Sequence, residues 1–161
     1  MSFQPGIPYV LINTKSNTAL DLHGINRKVC SELLFRPSAG DPKSDATPRP
    51  ISPTPLISRL LLPWTFESVG AGLYIVKNGL GKYIGLEIPI ETGKRVSTND
   101  TPRLYWSVEK DPSSDNVYRI FLDKTKLSLD LANNGSSANE TPAIIWYTEG
   151  PPSQSWRFER A

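Results

Sequence analysis

Ser155-Trp156-Arg157-Phe158-Glu159, close to the end of the chain, decides the fold because the same pattern occurs twice before it. Pro63-Trp64-Thr65-Phe66-Glu67 and Tyr105-Trp106-Ser107-Val108-Glu109 also place Trp and an apolar residue two positions apart, with Glu following. Apolar residues at a spacing of two mark a strand with one buried face. The stretches that open each copy repeat as well: Gly6-Ile7-Pro8-Tyr9-Val10-Leu11-Ile12, Gly72-Leu73-Tyr74-Ile75-Val76 and Asn116-Val117-Tyr118-Arg119-Ile120-Phe121 each hold a Tyr inside an apolar run. Between opening and ending lies a third short strand, Leu20-Asp21-Leu22, Ile84-Gly85-Leu86 or Leu129-Asp130-Leu131. From the Tyr to the middle of that triplet the chain runs 12, 11 and 12 positions, so the register is kept. The chain is a threefold internal repeat, and such units bury their apolar faces only against one another.

At 161 residues the chain is the length of one domain, enough to bury roughly 70% of its unfolded surface. No window carries a sustained period of 3.6, while short strands alternate with Asn, Gly, Ser and Pro clusters, which predicts an all-β protein nearly free of helix. Three copies of about four strands predict a closed barrel with approximate threefold symmetry, an arrangement that removes exposed strand edges. Copy one spans 6–67 with a proline-rich insertion at about 37–58, copy two spans 72–110 and copy three spans 116–160. Trp64, Trp106 and Trp156 are expected at equivalent places in the core.

Composition excludes several functions. Eighteen Lys and Arg face 16 Asp and Glu, for a net charge of +2 with the signs interspersed, so no basic stripe exists to track phosphates and nucleic acid is not an expected partner. No apolar run approaches the ~20 residues of a membrane span, and the start of the chain lacks a secretion signal, which predicts a cytoplasmic protein or one exported by an unconventional route. On that reading the sequons at Asn99, Asn134 and Asn139 stay unmodified. Cys30 is the one cysteine and His23 the one histidine. Neither an intramolecular disulfide nor a zinc set is available, and neither a nucleophile elbow nor a Cys-His pattern is present. The expectation is a monomer with no cofactor, no metal and no enzymatic activity.

Leu129-Asp130-Leu131, Ile144-Ile145-Trp146-Tyr147 and Gly150-Pro151-Pro152-Ser153-Gln154-Ser155-Trp156 resemble the third copy of a fungal ricin-B-type β-trefoil, whose copies end in Gln-x-Trp. The segment Gly6 to Leu22 resembles the first copy. That family contains sugar-binding lectins and, among mushroom proteins, mycocypin- and cocaprin-type protease inhibitors, so the resemblance implies a fold and leaves two functions open. In the lectins a sugar site uses an Asp on the second strand, an aromatic ring that stacks on the sugar and an Asn-Gln pair before the last Trp. By that template copy two is dead, with Gly85 for Asp and Leu104 for Gln, and copy one keeps Asp21 but has Leu62 for Gln. Copy three keeps Asp130, an aromatic at Trp146 or Tyr147, and Gln154, with Ser153 where the Asn belongs and Asn133, Asn134, Asn139 and Glu140 flanking the site. Carboxylate and amide groups would take the hydroxyl hydrogen bonds while the ring covers an apolar sugar face.

The lectin template leaves the insertion in copy one unexplained. Asp21 and Trp64 stand 43 positions apart, against 21 and 26 for the equivalent pairs of copies two and three, and Pro37 to Pro63 contains seven prolines. Proline favours extended, semi-rigid segments that lose little entropy on docking into a cleft. Pro50 and Pro53 are therefore candidates for an inhibitory loop. By resemblance to the mycocypins, so are Lys15, Ser16 and Asn17 in the first hairpin and Lys77 and Asn78 in the middle copy, although Asn78-Gly79 also reads as a tight hairpin turn. The leading expectation is a non-enzymatic inhibitor that occludes the cleft of a cysteine or aspartic protease. The alternative is a lectin with one working sugar site in copy three.

Overall fold

A computed structural model describes residues 2–21, 26–28, 62–112 and 114–161. Pro50, Pro53, His23, Cys30 and the whole 37–58 insertion lie outside the described residues. Twelve strands run among those described: β1 (Pro8–Asn13), β2 (Thr18–Leu20), β3 (Asn26–Lys28), β4 (Trp64–Gly70), β5 (Leu73–Asn78), β6 (Tyr83–Leu86), β7 (Val96–Asn99), β8 (Trp106–Lys110), β9 (Val117–Leu122), β10 (Leu127–Leu131), β11 (Ala143–Tyr147) and β12 (Trp156–Arg160).

Six of these strands close a ring in which every pair is antiparallel: β1 pairs β4, β4 pairs β5, β5 pairs β8, β8 pairs β9, β9 pairs β12, and β12 returns to β1. The other six form three hairpins, β2–β3, β6–β7 and β10–β11. Each hairpin hangs from the barrel by one residue pair, Ile12 opposite Ala19, Lys77 opposite Tyr83 and Phe121 opposite Ser128. A six-stranded barrel with three capping hairpins is the β-trefoil.

The threefold relation is written in the register. Trp64 stands opposite Tyr9 and Asn78, Trp106 opposite Tyr74 and Leu122, and Trp156 opposite Tyr118 and Asn13. All three Trp side chains are fully buried. The indole nitrogens of Trp64 and Trp156 each donate at 3.0 Å to the carbonyl before the middle residue of a triplet, Leu20 and Leu129. The indole nitrogen of Trp106 is buried without a partner.

One barrel end is closed by aromatic rings. Tyr9, Tyr74, Tyr118, Phe66 and Phe158 converge there, and Phe3, from the segment before β1, meets all five at centroid distances of 5.4 to 6.0 Å. Its backbone N–H donates to the Tyr118 hydroxyl at 2.8 Å, which pins the segment in place. Edge-to-face pairs of this kind add to the area they bury. Phe3 is only partly buried, so Phe3→Ala is expected to cost about 2 kcal/mol, less than a fully buried Phe. Urea denaturation measures this, and an unchanged midpoint would mean that the ring plugs nothing.

Helix is almost absent among the described residues. Ala132–Gly135 forms one turn, but Asn133 and Asn134 have φ of 53° and 54°, so the turn is left-handed. Asn accepts that conformation more readily than most residues because its short amide bonds locally. The other helical piece is a single 3-10 turn, Pro152–Gln154.

Candidate functional site

In an antiparallel pair, residues directly opposite one another share a face. Asp130 stands opposite Ile144 and Ser128 opposite Trp146, so the carboxylate and the indole lie on one side of the β10–β11 hairpin. Tyr147 stands opposite Leu127, one position out of phase. Of the two aromatic candidates, Trp146 lines the cleft and Tyr147 does not. The left-handed turn after β10 carries Asn133 and Asn134 to one wall, and Glu149, Pro151 and Ser153 supply another. The cleft has a volume of about 270 Å³. That falls just below the roughly 300 to 1,000 Å³ of drug-sized ligand sites and suits a single small ring.

Gln154 holds this site together from beneath. It is completely buried. Its Nε2 donates to Asp130 Oδ2 at 2.9 Å and to the Tyr147 carbonyl at 2.7 Å, while its Oε1 accepts from the backbone N–H of Glu149 and Gly150 at 3.2 and 3.1 Å. All its hydrogen-bonding capacity is used inside the protein. Gln154, expected from the sequence to contact a sugar, here bonds Asp130 and the 147–150 segment. Ser153, at the Asn position of the template, is also buried, and its carbonyl accepts from Asn13 Nδ2 at 2.7 Å.

Asp130 is 6% exposed, and its second oxygen, Oδ1, has no hydrogen-bond partner. An unsatisfied buried acceptor costs about 1 to 3 kcal/mol, and groups of this kind in native structures call for an explanation. Above it Trp146 is 40% exposed. The ring is backed by Gly93 of copy two, where an added Cβ would come 3.4 Å from Trp146 Cζ3. Gly93 N–H donates to the Ile145 carbonyl at 2.7 Å and Ile145 N–H to the Lys94 carbonyl at 3.0 Å, so this copy-two segment pairs with the edge of β11. Neither Gly93 nor Glu149 was found from the sequence, because neither lies in the strand patterns that the register argument compares.

Copy two has no equivalent site. An added Cβ at Gly85 would fall 2.0 Å from Asn99 Nδ2, so the Asn99 amide fills the space a carboxylate would need. Leu104 packs against the core. Gly85→Ala is expected to cost about 1 to 3 kcal/mol through overpacking; thermal denaturation measures it, and a Tm equal to that of the parent would show that Asn99 yields freely. Asp21 in copy one is buried, and the segment that would complete a site around it lies outside the described residues.

The inhibitory-loop candidates fare unevenly. Asn78 is 2% exposed, and its Oδ1 accepts from the N–H groups of Leu80 and Lys82, both at 3.0 Å. Its side-chain oxygen thus organises the β5–β6 turn from inside. The turn also differs from a tight Asn-Gly hairpin, since the left-handed residue is Gly81, with φ of 76°, and Asn78 N–H bonds the Lys82 carbonyl. Lys77 pairs with Glu67, whose hydrogen bond and then charge raise its pKa above the usual lysine value. Lys15 and Asn17 are exposed and Ser16 is half-buried. This first hairpin loop is docked on copy three: Thr14 Oγ1 donates to the Pro152 carbonyl at 3.0 Å, Asn17 Oδ1 accepts from Arg157 at 3.1 Å, and the Lys15 stem lies over Gly135.

No family model matches the chain, and no curated relative matches it by sequence. Solved structures do match over its whole length. The chain is similar to the Macrolepiota procera ricin B-like lectin in complex with lactose, with 23% identity, a TM-score of 0.74 and full coverage of both chains. The Rhizoctonia solani agglutinin matches at 19% identity and a TM-score of 0.68, covering 100% of this chain and 99% of the other. A proteinase inhibitor from Coprinopsis cinerea matches at 14% identity and a TM-score of 0.58, covering 99% and 100%. These likenesses establish the fold, a β-trefoil, and the similar structures include lectins and a proteinase inhibitor.

Proposed function

We propose that this chain binds glycans through the copy-three cleft, taking one sugar ring against Trp146. The observation that carries the reading is Asp130, a carboxylate that lines the cleft with Oδ2 held by Gln154 and Oδ1 buried without a partner. A sugar hydroxyl is a donor of the right size, and the indole face covers the apolar side of a pyranose. Asn133 and Asn134, displayed by the left-handed turn, add amide groups at the rim. The Macrolepiota procera lectin, similar in fold, is in complex with lactose, which makes β-galactosides the first ligands to test. The cleft is shallow, and a dissociation constant of about 1 mM, or ~4 kcal/mol, is expected for a monosaccharide. Titration of galactose, glucose, their N-acetylamino derivatives and lactose, followed by NMR shifts of the Trp146 indole N–H, tests the reading. Absence of any shift across the set would end it.

Protease inhibition is the second reading, favoured by one observation. The loop after β6 leaves Ile88 84% exposed beside Ile90 and between Glu87 and Glu91, an apolar tip of the kind a protein partner covers. A panel of cysteine, aspartic and serine proteases titrated with the intact chain separates the two roles. Stoichiometric inhibition lost in an Ile88→Asp variant would place protease binding on that loop.

A further inference from the structure

We infer that the copy-three cleft selects amino sugars, hexoses bearing a free protonated amine, over their neutral counterparts; this rests on the glycan reading above. Two carboxylates line the cleft, Asp130 at its floor and Glu149 at its wall, and no cationic side chain is among the lining residues. A neutral sugar needs hydrogen-bond acceptors, and Asn133, Asn134 and Asp130 already provide them. A second full charge adds most when the ligand carries the opposite one.

The two carboxylates differ in kind. Asp130 is more than nine-tenths buried, and its Oδ1 is buried without a partner. Glu149 is exposed, and its backbone N–H, bonded to Gln154 Oε1, fixes where the side chain starts. The indole of Trp146 lines the same cleft, and its negative face attracts an ammonium as well as sugar C–H groups. Of the nearby cations, Arg119 bonds Asp111 Oδ2 at 3.0 Å and the Gly150 carbonyl at 3.2 Å, while the Lys15 stem lies over Gly135 and the exposed Arg95 stands opposite Ile144, both outside the cleft lining. A hydrogen bond from a charged donor to a carboxylate is about twice as strong as one between neutral groups. Because Glu149 is solvated, its share is screened by salt.

The test compares galactosamine, galactose and N-acetylgalactosamine, and the matching glucose series, on the intact protein and on Glu149→Gln, by NMR titration at low and high salt. The expected result is roughly three- to tenfold tighter binding of the free amine than of either neutral partner. That preference should shrink toward unity in Glu149→Gln and at high salt, while the neutral sugars bind both proteins alike. Equal or weaker binding of the free amines, or a preference untouched by Glu149→Gln, overturns the inference and leaves the glycan reading standing. No binding by any sugar, charged or neutral, overturns both. Because Glu149 is exposed, its amide variant is expected to keep the parent Tm, and the salt series on the parent protein gives a second readout that needs no variant.

Discussion

Trp156→Ala is expected to lose about 3 to 5 kcal/mol of folding stability, about a fifth or more of what a domain usually has. The side chain is fully buried at the meeting of β12 with β1 and β9, and its indole N–H satisfies the Leu129 carbonyl. Truncation therefore leaves a cavity and an orphaned acceptor together. The sharper comparison uses Phe. Trp156→Phe removes a hydrogen bond at 3.0 Å, whereas Trp106→Phe removes an indole N–H that already lacks a partner. Equivalent burial with unequal bonding predicts that Trp106→Phe is milder by about 1 kcal/mol. Urea denaturation of both variants checks this, and equal losses would show that the indole bond contributes nothing net.

The same pair of tryptophans shows how far the sequence could be read. Register alone placed all three in the core, because a spacing of two fixes the face and repetition fixes the position. It could not show which indole finds a carbonyl, since that depends on how each hairpin seats. The spacing from Tyr74 to Gly85 is one residue shorter than its equivalents, and this is the copy in which the indole is left unpaired. Barrel closure was equally legible: with three copies of one pattern, a ring leaves no strand edge open.

The site was legible as a set of positions and less so as a set of roles. Asp130, Trp146 and Gln154 do come together, yet Gln154 spends all its groups inside the protein. Residue type announces hydrogen-bonding capacity but not where it is used. Asn78 misled for the same reason: an Asn before Gly reads as an exposed turn, while here its amide folds inward to bind Leu80 and Lys82. Trp146 against Tyr147 turned on one step of register, which only the pairing with β10 decides. Glu149 lines the cleft and Gly93 backs the Trp146 ring, and neither lies in the strand patterns that the register argument compares.

Asp130→Ala should lower glycan affinity at least tenfold, and for a millimolar site that means no measurable binding. A charged acceptor bonded to ligand hydroxyls is worth about 1.5 to 3 kcal/mol, and each 1.4 kcal/mol is a factor of ten. The effect on folding should be small by comparison, because two consequences oppose each other. Removing the carboxylate takes away an unpartnered buried oxygen, but it also leaves Gln154 Nε2 with one acceptor, the Tyr147 carbonyl, where it had two. Asp130→Asn refines the test, since its shape is kept while its charge is lost; binding should weaken less than in the Ala variant. Gln154→Ala should weaken binding too, but with a clear loss of stability, because it releases Asp130 and two backbone N–H groups at once. Titration with lactose and urea denaturation on the same three variants separates a group that meets the ligand from one that positions it. Unchanged affinity in a folded Asp130→Ala protein would remove copy three as the binding site, and the exposed Ile88 loop would then be the surface to follow.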